Sequence, residues 1–344
     1  MRGFQWTRDT TEHLVFAETD NLQTSRTWKK HSWLVSQQNL GQFPSDENTR
    51  VHNWRIFTNK HHVHVFDSDV EENLKSPWFF IHGSDPQYGF HDYKSDYPNM
   101  DQEIQITEKL VQKINNMNPR PRFFHISGDL VNVFPSSNYH IYKLEEETFK
   151  KIFGKINADI PVLVACGNHD VGDSPTQEDL DIYKASWGDN YYSFWCGGIF
   201  FLVINSQCYI DSHNVPNCAR KHEDWIEEQL RVAREKKSSR VIVLQHIPWF
   251  LKSADEPNDY FTINNPIRNA MLDKFVNSGV QKIFCRHYHQ NAGGVYKDIE
   301  IVVTSAICGP LGEDKPGVRL VKVYENKIEH VYYCVDDIPS LVTL

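Results

Sequence analysis

Five apolar runs in this 344-residue chain end on side chains able to bind a metal. They are HGSDPQ with Asp85 and Gln87, SGD with Asp129, CGNHD with Asn168, His169 and Asp170, LQH with His246, and RHYH with His287 and His289. Two aspartates, an asparagine, a glutamine and three histidines make a nitrogen and oxygen donor set with no thiolate. That set suits Mn, Fe or Zn and is poor for a structural zinc or an iron–sulfur cluster. Seven donors exceed what one ion takes while leaving a position open for water, and two ions sharing a carboxylate fit the number better. Taken singly, a Gly-Asp turn is common and a lone histidine such as His246 can be a satisfied core residue. Five coincident strand ends are not explained that way, because clustered buried polar groups are costly unless paired.

The elements that must position these residues are legible as alternating patterns. WFFIHG, RFFHISG, PVLVACG, IFFLVINS, RVIVLQH, QKIFCRH and EIVVTSAI read as strands. Helical patterns lie between several of them: DQEIQITEKLVQKINNMN, with Ile104, Val111 and Ile114 on one face, then EDWIEEQLRVAREKK and NPIRNAMLDKFVNSG. The alternation predicts an α/β fold whose polar residues gather at the C-terminal strand ends, where loops converge on one crevice. Gly83, Gly128 and Gly167 precede the polar residues and permit tight turns. NYYSFWCGGIFFLVINS predicts a hairpin about Gly197-Gly198, and GVRLVKVYENKIEHVYYCVDD another about Glu325 to Lys327, so the sheets are expected to be mixed. The aromatics of FHDYKSDYP, IPWFLKS and NDYF either wall a peptide groove or pack the bases of loops.

A net charge of -9 argues against a nucleic-acid partner, since backbone binding needs a basic face. No apolar run approaches membrane-spanning length, and the first 30 residues hold no apolar leader. Seven cysteines without a CxxC, three of them inside apolar runs at Cys166, Cys285 and Cys308, predict reduced thiols and a cytoplasmic protein. Trp6, Trp28, Trp33 and Trp54 predict that residues 1–76 pack on the rest as an extension. Within HHVHV, His62 and His64 suggest a metal, but the alternation with Val63 and Val65 favours a half-exposed strand.

In this order the motifs resemble those of the calcineurin-like metallophosphoesterases, which run D-x-H, GD-x-x-D, GNHD/E, a lone His and GHxH. This chain carries D-x-Q, GD-x-x-N, GNHD, His246 and RHxH. The resemblance covers about residues 77–334, leaving 1–76 as the extension and 335–344 as a tail. It implies a four-layer αββα sandwich of two mixed sheets flanked by helices. It implies two divalent ions (Mn, Fe, Zn or Mg), one held by Asp85, Gln87 and His289, the other by Asn168, His246 and His287, with Asp129 bridging. His169 would then stand beside the substrate as general acid or phosphoryl donor, with Asp170 orienting its imidazole.

The implied activity is hydrolysis of a phosphomonoester by direct attack of hydroxide formed at the ion pair, on a serine/threonine phosphoprotein and without a regulatory subunit. Two cations clamp the phosphate dianion and lower the pKa of a water between them, and an imidazole can protonate the poor alkoxide leaving group. No cysteine lies in a C-x5-R loop, so a phosphocysteine route has no support. A phosphodiesterase for cyclic or nucleotide-like diesters would use the same ions and is the alternative. An interaction scaffold on the same fold is a third reading, though it has no need of His169.

Besides the Asn that ends GD-x-x-N, two positions depart from the pattern. The Gln87 carboxamide is a weaker donor than imidazole and would loosen the first site or favour a harder ion such as Mn or Mg. Arg286 stands where the pattern has glycine. Its side chain is expected to turn to solvent, the alternatives being a phosphate clamp or a charge that repels the second ion.

Overall fold

A computed structural model describes residues 54–344, apart from 75–76, 96 and 237–239, together with two strands nearer the N-terminus. The chain forms two units, Met1–Thr49 and Arg50–Leu344. In the first, β1 (Phe4–Arg8) pairs antiparallel with β2 (Leu14–Glu18), Phe4 opposite Glu18. The packing expected of Trp6, Trp28 and Trp33 lies outside what is described there.

The second unit holds two sheets. One has five strands: β5 (Trp78–Gly83), β6 (Phe124–Ser127) and β7 (Val162–Ala165) run parallel, and β14 (Gly317–Val323) and β15 (Ile328–Cys334) extend it antiparallel beside β5. In the other, β9 (Ile199–Val203), β10 (Val241–Leu244), β11 (Val280–Cys285) and β13 (Ile299–Val303) run parallel. Antiparallel β8 (Tyr192–Cys196) and β12 (Ala292–Tyr296) flank that set. β3 (Thr58–Asn59) and β4 (His62–Val63) complete its eight strands beside β8.

Alternation along the strands builds the layers. Phe80 on β5, Leu163 on β7, Phe201 on β9, Leu244 on β10 and Phe284 on β11 face one another in the cluster between the sheets. Their neighbours Phe79, Ile81 and Val164 pack instead with Leu110, Ile114, Phe149 and Phe153 from the helices Asp101–Asn115 and Tyr139–Phe153. Leu202, Val243 and Ile283 pack with Ile226, Leu230, Leu272 and Phe275 from Pro216–Glu235 and Ile267–Val276. Period-two burial on both faces of both sheets therefore yields four layers, helix, sheet, sheet, helix.

Both expected hairpins form. Gly197 and Gly198 have φ of 56° and 78°, the paired left-handed geometry of a two-residue turn. Tyr324 N–H donates to the Lys327 carbonyl across the other. The compact body reaches further towards the N-terminus than residue 77: besides β3 and β4, Trp54 packs edge-on against Phe149 and Trp187 at 5.3 and 5.6 Å. His62 and His64 are exposed while Val63 is buried, and neither histidine belongs to a metal-competent group among the described residues. At the other end, Asn118 bonds through its backbone to Ser340 and Val342, and Ile338 and Val342 are buried.

The cluster between the sheets is aromatic. Phe80 stacks on Phe123 at 4.7 Å and meets Phe201 edge-on at 5.5 Å. Phe80→Ala should cost about 3–5 kcal/mol through lost burial and the cavity it leaves. The urea midpoint would measure this, and an unchanged midpoint would show that the sheets do not depend on that contact.

Candidate metal centre

The five polar motifs follow β5, β6 and β7 in one sheet and β10 and β11 in the other, so the site straddles the top of the sandwich. Backbone hydrogen bonds tie their loops together. Asp85 N–H donates to the Gly128 carbonyl at 3.1 Å, Gln87 N–H to the Asp129 carbonyl at 3.2 Å, and Arg286 N–H to the His246 carbonyl at 2.7 Å. The loops after β6 and β7 cross so closely that a Cβ on Gly167 would lie 2.1 Å from Asp129 Oδ1. Only glycine fits there.

Backbone strain is concentrated in the same place. Asp85, Gln87, Asp129, His287 and His289 all have left-handed φ, between 38° and 70°, and they are five of the eight such non-glycine residues among those described. Each such conformation costs on the order of 1–3 kcal/mol and persists where surrounding structure enforces it.

The side chains form two groups that share Asp129. Asp129, His246 and His287 offer ligand atoms within 4.8 Å of one another, and so do Asp85, Asp129 and His289. His246 Nε2 lies 3.2 Å from Asn168 Oδ1, 3.2 Å from His287 Nδ1 and 3.3 Å from Asp129 Oδ2. His289 Nε2 lies 3.6 Å from Asp85 Oδ1. Tautomers follow from the opposite ring nitrogens, because a carbonyl can only accept. His246 Nδ1 donates to the Ser127 carbonyl and His289 Nδ1 to the Gly309 carbonyl, each at 2.8 Å. Both Nε2 atoms therefore present lone pairs to a cluster of further acceptors, an arrangement that fixes imidazoles for metal binding. Ligands about 2.1 Å from one ion stand roughly 3.0–3.4 Å apart, as those around His246 Nε2 do.

A cation is what the donors lack. Both Asp85 carboxylate oxygens and Gln87 Oε1 are buried without a hydrogen-bond partner among the described residues. Burial pushes the Asp85 carboxyl up, with His289 and His246 opposing it. Asp129 is also penalised by burial, yet the imidazoles of His246 and His169 hold it below the usual carboxylate range. Burial lowers His246, but the carboxylates of Asp129 and Asp85 outweigh it and carry the imidazole to about 9. A divalent ion would supply the positive charge that these buried donors call for, so residues and ion fit.

Two expectations fail. Asp170 does not orient the His169 ring: its oxygens accept from Leu130 N–H at 2.9 Å and Gly167 N–H at 2.7 Å, which staples the crossing loops. His169 Nδ1 bonds instead to the Asn132 carbonyl, and its backbone N–H donates to Asp129 Oδ1 at 3.0 Å. Arg286 does not turn to solvent. It follows the wholly buried end of β11 and is itself fully buried, with Nη1 donating to the Ser305 carbonyl and with Nε and Nη2 unpaired. Ser305 Oγ donates in turn to the His289 carbonyl at 2.9 Å, so the arginine braces the ligand loop from beneath.

The aromatic expectation divides. Phe90 stacks on His289 at 5.4 Å, and Tyr260 and Phe261 lie 5.1 and 5.8 Å from His287. Trp249 is buried against Phe275 and walls no groove. Phe134, edge-on to His169 at 5.0 Å, was not signalled by any motif.

The calcineurin-like phosphoesterase family model matches residues 80–291. The chain belongs to that family. A Bos taurus serine/threonine-protein phosphatase CPPED1 is 41% identical over 280 residues, which are 80% of this chain and 89% of the relative. The Homo sapiens protein of the same name is 40% identical over 281 residues, with the same coverage. Among solved structures, a dimetal phosphatase from Danio rerio superposes with a TM-score of 0.55 at 11% identity, covering 75% of this chain and 96% of that one. That likeness supports the calcineurin-like fold, and the αββα layers agree with it.

The burial of Arg286 reverses what its position in a glycine pattern suggests for Arg286→Gly. Removing the side chain opens a cavity and frees Ser305, and should cost about 2–5 kcal/mol in denaturant unfolding. Arg286→Met keeps the volume and removes an incompletely paired buried charge, and should be neutral or stabilising. An Arg286→Gly protein as stable as the parent would contradict the bracing role.

Proposed function

We propose that this chain is a two-metal phosphomonoester hydrolase acting on phosphoserine and phosphothreonine in proteins. The observation that carries the reading is Asp129, shared by two converging nitrogen and oxygen clusters whose histidine tautomers are already set. Asp85, Gln87 and His289 would hold one ion and Asn168, His246 and His287 the other, with Asp129 between them. Two bound divalent ions, Mn, Fe, Zn or Mg, would supply positive charge to the phosphoryl oxygens and acidify a water. The names of the relatives support the phosphoprotein substrate. The seven unpaired thiols support a reducing, cytoplasmic setting, and no helix among the described residues is long and apolar enough to cross a membrane.

The chain's own residues handle the leaving group. Because His169 Nδ1 is engaged by the Asn132 carbonyl, Nε2 is the nitrogen that can deliver a proton. As the bond from phosphorus to the Ser or Thr oxygen breaks, that oxygen takes the proton and leaves as a neutral hydroxyl. The N–H of His169 on Asp129 Oδ1 ties the acid to the bridging carboxylate, so the proton donor and the ligand set keep one registration.

His169→Ala should keep its metal content and lose about 10²–10⁴-fold in kcat on a phosphoserine peptide. Asp129→Asn should lose metal as well. Elemental analysis and steady-state rates on the peptide, a cyclic nucleotide and bis-p-nitrophenyl phosphate decide the matter. Faster turnover of either diester would replace this reading with a phosphodiesterase. Less than one equivalent of metal, with no turnover after Mn is added, would leave a scaffold.

A further inference from the structure

The peptide group whose carbonyl holds His169 is itself held, through its N–H, by a buried acid that no motif includes. Glu145 lies on the buried face of the helix Tyr139–Phe153, fully shielded from solvent. Its Oε2 accepts from the N–H groups of Asn132 at 2.7 Å and Val133 at 2.9 Å. The Val133 N–H and the Asn132 carbonyl belong to one peptide group. A line of hydrogen bonds therefore runs from the Glu145 carboxylate through that peptide to the imidazole, whose Nδ1 donates to the Asn132 carbonyl. Charge at one end of such a chain polarises the next bond, and low dielectric strengthens the effect. A carboxylate on the N–H side makes the carbonyl oxygen more negative and a better acceptor.

We propose that Glu145 is a positioning residue for His169, acting through the Asn132–Val133 peptide so that its negative charge strengthens the carbonyl that holds the imidazole. It does for the ring what Asp170, spent on Leu130 and Gly167, does not. The proposal rests on the phosphatase reading only for its effect on turnover, since the hydrogen bonds stand without it. Space around the acid is restricted: a Cβ on Gly89, whose φ is +93°, would lie 2.7 Å from Glu145 Oε1. Among the described residues that oxygen has no hydrogen-bond partner, and the acid's hydrogen bonds are to the two N–H groups. Burial pushes the carboxyl up to about 8 against the Val133 and Asn132 N–H bonds, and Glu103 on the helix Asp101–Asn115 adds to the rise. Glu103 itself is engaged by His91. A group raised in this way is neutral below its pKa, so the charge enters the line as pH rises through about 8.

Glu145→Gln tests this, because its carboxamide oxygen can still accept both N–H bonds while carrying no charge. With melting temperature and metal content unchanged, kcat on a phosphoserine peptide should fall about tenfold at pH 9 and less at pH 7, with KM little altered. The loss should be much smaller on p-nitrophenyl phosphate, whose leaving group needs no proton. In diamagnetic Zn-loaded or Mg-loaded protein, the ¹⁵N shifts of His169 should move away from the Nδ1–H tautomer in the variant. Unchanged kcat at pH 9, or equal losses on both substrates, would overturn the proposal. If the parent turns over no phosphopeptide, the phosphatase reading fails, and the tautomer measurement alone then decides the role of Glu145: unchanged shifts reject it.

Discussion

Much of this structure is organised around a place where buried electron-pair donors converge. Asp129 brings a carboxylate to two imidazole clusters, and His246 Nε2 faces an amide oxygen, a carboxylate oxygen and a second ring nitrogen, all at 3.2–3.3 Å. Such a gathering is repulsive unless a cation occupies it, and it is too deeply buried for water to screen the charges. The polypeptide has to hold these groups together against that repulsion until an ion relieves it. The strain at Asp85, Gln87, Asp129, His287 and His289 is the local expression of that demand.

The sandwich is suited to meeting it. The two sheets share an aromatic interior of interlocked rings, which fixes their relative position and so fixes the loops at their ends. Ligands come from both sheets, so neither sheet alone assembles either cluster fully. The crossing of Gly128 and Gly167 brings two main chains within contact distance, and Asp170 then ties the crossing by accepting from both loops. Asp170 is thus a structural acid inside a catalytic-looking motif. Its neighbour His169 is partly exposed, and the acid faces inward to the backbone.

The strands and the gathering of candidate ligands are legible in the sequence because both are written in side-chain type. Alternating apolar runs ending in Asp, Asn or His mark where a core stops and chemistry starts, and each of the five strand ends falls where the pattern puts it. Strand β12 is a different case: AGGVY has two glycines and little burial, and only its pairing with β13 makes it a strand. The short β3 and β4 have too few residues to show a period. The burial of Arg286 is not legible in the sequence, because a charged residue after a buried strand is normally solvated, whereas here the chain continues inward beneath the ligand loop.

What the sequence conceals most completely is the second layer of the site, because it is main chain. His169, His246 and His289 each give Nδ1 to a backbone carbonyl, of Asn132, Ser127 and Gly309 respectively. Any residue can supply a carbonyl, so no residue type advertises the arrangement. The consequence is nonetheless chemical. With Nδ1 engaged, Nε2 is the nitrogen left for other partners in all three, where it would serve as a lone pair in His246 and His289 and as a proton carrier in His169 on the proposed reading. His287 breaks the pattern by turning Nδ1 to His246 while Tyr260 and Phe261 pack near its ring. Its position one residue from His289 requires this: both follow one strand end in left-handed conformations, and the two rings reach different clusters. The same motif could thus serve two ions on the proposed reading, because its two imidazoles turn opposite nitrogens to the two clusters.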